Sequence, residues 1–135
     1  RLQDLPGAVR EELEAAIENT KTNTKLDLIL ALSYGSRVEI TEATKAIARE
    51  AKAGRLDPET IDEKTITAHL YTHDVPDPDL LIRTSGEMRV SNFMLWQISY
   101  AEIHVTPVLW PDFGKKEFAA ALADFAKRDR RFGGL

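Results

Sequence analysis

The chain has 135 residues, of which 43% are hydrophobic and 30% are charged, and this composition suits one folded domain and excludes a disordered tail or a coiled coil. Eighteen Lys and Arg against 22 Asp and Glu give a net charge of -4, so no overall positive field attracts nucleic acid, and no nucleic-acid partner is expected. The sequence has no cysteine, which excludes disulfides, thiolate metal sites and cysteine nucleophiles.

The first part of the chain predicts two helices with a strand between them. Apolar residues recur every four positions from Leu5 to about Thr20, which is the spacing of an amphipathic helix. The run Leu26 to Leu32 is short and continuously apolar, which predicts a buried strand of a parallel sheet. Ser36 and Glu39 match a capping box, and the apolar spacing after them predicts a helix to about Ala53.

The rest of the chain continues this alternation. Asp62 is a suitable cap for a short helix. Two prolines within residues 73–79 keep the backbone extended, so the apolar residues that follow enter a strand at about 79–83. We further predict a helix over residues 93–101, a strand at about 102–106, and a last helix whose apolar face contains Phe118, Leu122 and Phe125.

Strands that alternate with helices are typical of an α/β fold, here a parallel sheet flanked by helices. Only three strands are predicted, and a sheet of three strands leaves an apolar edge and part of one face uncovered. The pattern therefore indicates an incomplete domain.

The most informative segment is LLIRTSGEMRVSN, from Leu80 to Asn92. A strand that ends near Arg83 places the polar residues after it at the carboxyl edge of the sheet, where α/β folds bind ligands. Arg83 and Arg89 suit a phosphate or diphosphate, because a guanidinium donates two parallel hydrogen bonds to such an anion. The alternative is that both arginines form surface ion pairs with neighbouring acids, and residue types alone leave the two interpretations equal. Those acids are Asp77, Asp79 and Glu87.

Other features indicate chemistry less specifically. Glu102 suits a hard cation such as Mg²⁺, although a solvated helix end is the more common role for such a residue. The three histidines show no metal-ligand spacing, and we interpret His69 and His104 as structural and His73 as a turn residue. The basic cluster 127–131 usually only favours a helix C-terminus, but with the glycines after it the cluster also suits an anion clamp.

Several motifs together resemble one family. The segment from Pro78 to Phe113 is similar to the most distinctive block of the cis-prenyltransferases, and ALSYGSRVEI and RDRRFGG resemble further motifs of that family in the same order. The resemblance spans essentially the whole chain and corresponds to roughly the C-terminal half of a family member. Residues 1–135 are therefore expected to form the C-terminal part of one cis-prenyltransferase domain.

The resemblance implies a homodimeric, Mg²⁺-dependent transferase. Such an enzyme adds isopentenyl diphosphate units to farnesyl diphosphate with cis geometry and makes the polyprenyl diphosphate that carries cell-wall glycans. No apolar run reaches the roughly 18 residues that span a bilayer, and no secretion signal is visible. The expected location is the cytoplasm, with peripheral membrane contact through the lipid product.

The resemblance also implies roles for particular residues. It assigns the isopentenyl diphosphate grip to Arg83, Arg89 and Ser91. Glu102 is implied to belong to the magnesium site. Arg131 and Gly133 are implied to reach the diphosphates held by the partner subunit.

One motif of the family does not occur in this sequence. The Asp-Gly-Asn-Gly-Arg loop, whose aspartate is the main catalytic residue of the family, is absent, so no catalytic residue is assigned in this chain and the chain alone is expected to be inactive. Two other functions remain open. One is a non-catalytic partner subunit of a heteromeric cis-prenyltransferase, which retention of the Arg-Arg-Ser grip argues against. The other is a diphosphate-binding module without chemistry, which the intact motif block disfavours.

Overall fold

The computed structural model describes residues 2–128 of the chain. Its contacts divide the chain into two compact units, Arg1–Gly35 and Ser36–Leu135. Within the described range, none of the helices combines the length and the apolar character that crossing a membrane requires.

The first unit is organised around helix α1, Gly7–Thr20, which follows a 3-10 turn at Leu2–Asp4. The helix lies where the apolar spacing predicts it. Pro6 precedes it, at a position where the missing proline N–H costs no hydrogen bond inside the helix. No residue of α1 is buried, so packing adds little to the stability of this helix.

The strand predicted over Leu26 to Leu32 is wrong. This segment has no regular secondary structure, and the side chains of Leu26 and Leu28 are 81% and 79% exposed. A strand forms only where a neighbouring strand offers N–H and C=O groups, and the sheet in the described part of the chain consists of two other strands. Apolar sequence indicates that a segment favours burial, but it does not supply the partner strand.

The second unit begins with helix α2, Ser36–Lys52. Its buried side chains follow one stripe along the helix: Ser36, Glu39, Ala43 and Ile47. Helix α3, Glu63–Thr67, is capped as predicted, because Oδ1 of Asp62 accepts a hydrogen bond of 2.8 Å from the Thr65 N–H. The buried apolar core of the described residues consists of Ala43, Ile47, Leu70 and Ala121.

The sheet consists of β1, Leu80–Arg83, and β2, Glu102–Val105, which run parallel. Leu80 pairs with Glu102 at the amino ends of the strands, and Arg83 pairs with Val105 at the carboxyl ends. Helix α4, Lys115–Phe125, packs against β2. The parallel sheet and the helices around it confirm the predicted fold class.

The helix predicted over residues 93–101 is also wrong, because this segment is a series of turns. Met94 has φ of 47°, in the left-handed region, which a right-handed helix does not accommodate. The N–H of Leu95 donates to Oγ of Ser36 at 3.0 Å, so it does not continue a helical ladder. Gln97 is buried and donates to both carboxylate oxygens of Glu39, each at 3.2 Å.

The capping box expected from Ser36 and Glu39 is replaced by long-range contacts. Ser36 accepts from Leu95, as described above, and Oε1 of Glu39 accepts a hydrogen bond of 2.8 Å from the N–H of Tyr71. Both side chains are fully buried. They therefore join α2 to distant parts of the second unit.

Candidate anion-binding site

The loop over residues 84–92, referred to below as the site loop, begins where β1 ends at Arg83. Backbone hydrogen bonds hold it against the chain that follows β2. The N–H of Ser85 donates to the carbonyl of Val108 at 2.9 Å, and the N–H of Gly86 donates to that of Thr106 at 2.8 Å. Ser85 and Gly86 have φ of 66° and 67°, a region that glycine adopts without strain. The turn fixes the first part of the loop at the carboxyl edge of the sheet, as predicted.

The loop brings Arg83 and Arg89 together on one carboxylate. Nη2 of Arg83 donates to Oε2 of Glu87, and Nη2 of Arg89 donates to Oε1 of the same side chain at 2.5 Å. The ion pair with Glu87 was one of the two predicted interpretations, and the convergence of both guanidiniums belonged to the other. Two positive charges share one negative charge, so the cluster of Arg83, Glu87 and Arg89 has a net positive charge.

A shallow cleft lies beside this cluster. Its volume is about 170 Å³, and it is lined by Leu81, Ile82, Arg83, Arg89, Val90 and Phe93. Nε of Arg83 is buried and has no hydrogen-bond partner among the described residues. An unpartnered N–H at this position is unfavourable until an acceptor arrives. The cleft therefore combines apolar walls with two guanidiniums, one of which has an unpaired N–H, and this combination suits a phosphate that carries an apolar substituent.

Ser91 lies on the same loop, two residues after Arg89, with φ of 53°. Its neighbours Asn92 and Met94 also have positive φ, of 62° and 47°. Three left-handed non-glycine residues within four positions mark a backbone that the surrounding structure holds in place. Ser91 is exposed and does not line the cleft.

A second charged cluster lies at the amino end of the sheet. Nη1 of Arg128 donates to Oε2 of Glu102 at 2.8 Å and to the carbonyl of Ile103 at 3.0 Å, and its Nη2 donates to Oδ2 of Asp124 at 2.6 Å. Nδ1 of His104 lies 2.9 Å from that same Asp124 oxygen. Hydrogen bonds from His104 and then Arg128 lower the pKa of Asp124, and those to Glu102 and then Asp124 raise the pKa of Arg128.

The structure separates the implied magnesium ligand from the implied diphosphate grip. Glu102 pairs with Leu80 at the amino ends of the strands, whereas Arg83 pairs with Val105 at the carboxyl ends. One oxygen of Glu102 is held by Arg128. Residues 2–128 contain no group of three or more His, Cys, Asp or Glu that could hold a metal ion.

Two implied site residues, Arg131 and Gly133, lie outside the described residues. Two residues organise the charged clusters through contacts that the sequence did not predict in full. Glu87 follows Arg83 by four positions, a spacing that marks it as a partner, but its contact with both arginines depends on the turn at Ser85 and Gly86. Arg128 was considered only as a member of the basic cluster 127–131, at a helix end or in an anion clamp, because nothing local links it to Glu102.

Comparison with known proteins places the chain among prenyltransferases. A family model described as putative undecaprenyl diphosphate synthase matches residues 1–133. An isoprenyl transferase of Heliobacterium mobile is 60% identical over 135 residues, which is 100% of this chain and 52% of the relative. An isoprenyl transferase of Geobacillus kaustophilus is 53% identical over 131 residues, 97% of this chain and 51% of the relative. The chain thus spans about half the length of these curated relatives.

Two solved structures have the same fold. The lavandulyl diphosphate synthase of Lavandula x intermedia, in complex with dimethylallyl diphosphate, matches with a TM-score of 0.91 and 42% identity, over 96% of this chain and 56% of that one. A probable undecaprenyl diphosphate synthase of Campylobacter jejuni matches with a TM-score of 0.81 and 37% identity, over 98% of this chain and 60% of that one.

Proposed function

Since the chain belongs to the undecaprenyl diphosphate synthase family of prenyltransferases, we propose that it contributes the isopentenyl diphosphate grip of a cis-prenyl chain elongation enzyme. The observation that carries the proposal is the convergence of Arg83 and Arg89 on Glu87, beside a cleft with apolar walls. A diphosphate offers several oxygens to the two guanidiniums, and the apolar walls suit the isoprenoid carbons. Ser91 adds a hydroxyl from the same loop.

In the proposed reaction, the allylic carbon of farnesyl diphosphate loses its diphosphate as the C–O bond breaks. The alkene of isopentenyl diphosphate forms the new C–C bond to that carbon, and a proton then leaves the condensed product. Arg83 and Arg89 hold the diphosphate that stays on the nucleophile, so their contribution is orientation of one substrate against the other. The farnesyl site and the catalytic aspartate are proposed to belong to a part of the complete enzyme that this sequence does not contain.

Magnesium dependence is part of the proposal for the complete enzyme. A bound Mg²⁺ would neutralise the charge that develops on a departing diphosphate. Glu102 would contribute one carboxylate ligand, and substrate phosphate oxygens and water would complete the coordination.

The proposed assembly is a homodimer in which Arg131 and Gly133 approach the partner's diphosphates. Exposed apolar side chains at Phe93, Leu95 and Tyr100 support an interface at the turns after the site loop. We place the enzyme in the cytoplasm, with its lipid product as the point of contact with the membrane.

The experiment that tests the grip is steady-state kinetics of the complete enzyme with Arg83→Ala. Loss of a charge-assisted hydrogen-bonding group raises the KM for isopentenyl diphosphate by about 10- to 100-fold, while the KM for farnesyl diphosphate changes little. Arg49→Ala, which removes an exposed arginine from α2, is the matched control. An unchanged KM for isopentenyl diphosphate in Arg83→Ala contradicts the assignment.

A further inference from the structure

Asn92 joins the site loop to the first turn of helix α2. Its carbonyl accepts a hydrogen bond of 2.9 Å from the N–H of Ser36, and its side-chain Oδ1 accepts one of 2.9 Å from the N–H of Arg37. The return contact runs from the N–H of Leu95 to Oγ of Ser36. We refer to these four residues as the Asn92 junction.

The junction satisfies groups that a helix cannot satisfy by itself. The first N–H groups of an α-helix have no acceptor within the helix, and an acceptor side chain usually comes from the residue just before it. Here the acceptor comes from a residue 55 positions along the chain. The two hydrogen bonds therefore fix the position of a distant loop as well as the end of the helix.

The same contacts hold the backbone of the loop in an unfavourable conformation. Ser91, Asn92 and Met94 all have positive φ, and of these residue types only asparagine enters that region readily. The hydrogen bonds from the N–H groups of Ser36 and Arg37 offset the free-energy cost of this conformation. Arg89 and Val90, which precede this segment, and Phe93, which lies within it, form half of the cleft lining.

We propose that Asn92 is a positioning residue for the isoprenoid diphosphate. Through its hydrogen bonds to α2, it keeps Arg89 and Ser91 in the geometry that binds the anion, and it touches no substrate itself. The inference rests on the proposed function, because it concerns the same cleft. It adds that affinity for the diphosphate depends on a polar contact made on the other side of the loop.

Three substitutions in the complete enzyme separate the parts of this role. Asn92→Asp keeps an acceptor at the helix N-terminus, where a negative charge is favourable, so the KM for isopentenyl diphosphate stays within about twofold of the parent value. Asn92→Gly accepts the left-handed backbone but has no acceptor for the Arg37 N–H. Asn92→Ala lacks both. For Gly and Ala we expect a KM for isopentenyl diphosphate about tenfold higher, with kcat and the KM for farnesyl diphosphate unchanged.

The controls distinguish positioning from stability. Asn23→Gly makes the same change at an exposed position of the first unit, just after the turn that follows α1, and should leave the KM unchanged. Melting temperatures are measured in parallel, because a merely structural residue lowers the Tm without raising the KM for one substrate. An Asn92→Gly enzyme with the parent KM overturns the positioning role, and so does an Asn92→Asp enzyme as impaired as Asn92→Ala.

Arg83→Ala, assayed alongside, separates this inference from the proposed function. If Arg83→Ala raises the KM for isopentenyl diphosphate and Asn92→Gly does not, only the positioning role fails. If Arg83→Ala leaves that KM unchanged, the cleft is not the diphosphate site and both proposals are overturned.

Discussion

The two charged clusters of the second unit lie at opposite ends of the same two strands, and they differ in how their charges balance. At the carboxyl end, Arg83 and Arg89 share the single carboxylate of Glu87. At the amino end, Arg128 binds the two carboxylates of Glu102 and Asp124. The first cluster has excess positive charge, and the second has enough negative charge to neutralise its arginine.

This difference shows that an arginine beside an acid is not in itself evidence for or against a ligand site. Arg128 has its charge matched and also donates to a backbone carbonyl, so an added anion would have to displace existing partners. Nε of Arg83 is buried and has no acceptor among residues 2–128, so the donors of this arginine are not all matched. The balance of donors and acceptors, and not the presence of ion pairs, distinguishes an anion site from a structural network.

The largest effect we expect is the absence of prenyl transfer activity in the isolated chain. The purified 135-residue chain should not transfer prenyl groups, because the carboxyl-end cluster is proposed to bind only one of the two substrates and the sequence lacks the family's aspartate loop. Incorporation of radiolabelled isopentenyl diphosphate into extractable lipid measures this, with the complete enzyme as the positive control. Turnover by a chain free of host enzyme would place the catalytic centre within these residues.

A smaller effect is expected from substitutions of Arg89, the more exposed arginine of the carboxyl-end cluster. In the complete enzyme, Arg89→Ala should raise the KM for isopentenyl diphosphate about tenfold, below the upper range for Arg83 because Arg89 is 68% exposed. Arg89→Lys should recover part of the loss, since lysine keeps the charge but not the planar fork. Equal KM values for the Lys and Ala variants would show that charge does not contribute.

Glu102→Gln tests the amino-end cluster in the complete enzyme. The substitution should lower activity and raise the magnesium concentration needed for half-maximal rate, if Glu102 binds the ion as proposed. The substitution also removes the ion pair between Glu102 and Arg128, so we expect the Tm to fall slightly as well. Glu59→Gln, at an exposed position of a 3-10 turn, is the control. Full activity at limiting magnesium would leave Glu102 with the structural role alone.

The smallest effect concerns acid stability. The pKa of Asp124 is lowered in the folded chain from its ordinary value of 3.8, so its contribution to stability is present above that value. The contribution is lost as the pH falls through the folded pKa, because the unfolded chain binds the proton first. Asp124→Asn should therefore reduce the change in unfolding free energy between pH 6 and pH 3, measured by urea denaturation. An unchanged pH dependence would exclude this carboxylate from the acid response.

The sequence predicted the elements whose signals are local. Helices α2 and α3 follow from apolar spacing and from the Asp62 cap, and strand β1 follows from an apolar run after two prolines. The predictions of a strand at 26–32 and of a helix at 93–101 were wrong for the same reason. The conformation of each segment depends on residues that are distant in the sequence. An apolar strand needs a neighbour, and Leu95 gives its N–H to Ser36, 59 residues away.

In the candidate site, too, the contacts between residues near in sequence were predictable and those between distant residues were not. The convergence of Arg83 and Arg89 was predictable, because both lie on one short loop at the end of a strand. The shared use of Glu87 depends on positive φ angles at Ser85 and Gly86. A serine in the sequence does not indicate a positive φ, because serine rarely adopts one. The pairing of Arg128 with Glu102 joins residues 26 positions apart, and no local pattern indicates it.

The connection between the two parallel strands, residues 84–101, affects how this part of the protein unfolds locally. Parallel strands are usually joined by a helix, whereas here the connection consists of the site loop and the turns over residues 93–101. The amides of Ser85 and Gly86 are bonded to the chain just beyond β2, so the loop cannot detach without breaking contacts at the end of that strand. Hydrogen exchange should then show these two amides opening in one cooperative step with the amides of β2. Insertions in this connection should be tolerated less well than insertions in an ordinary surface loop.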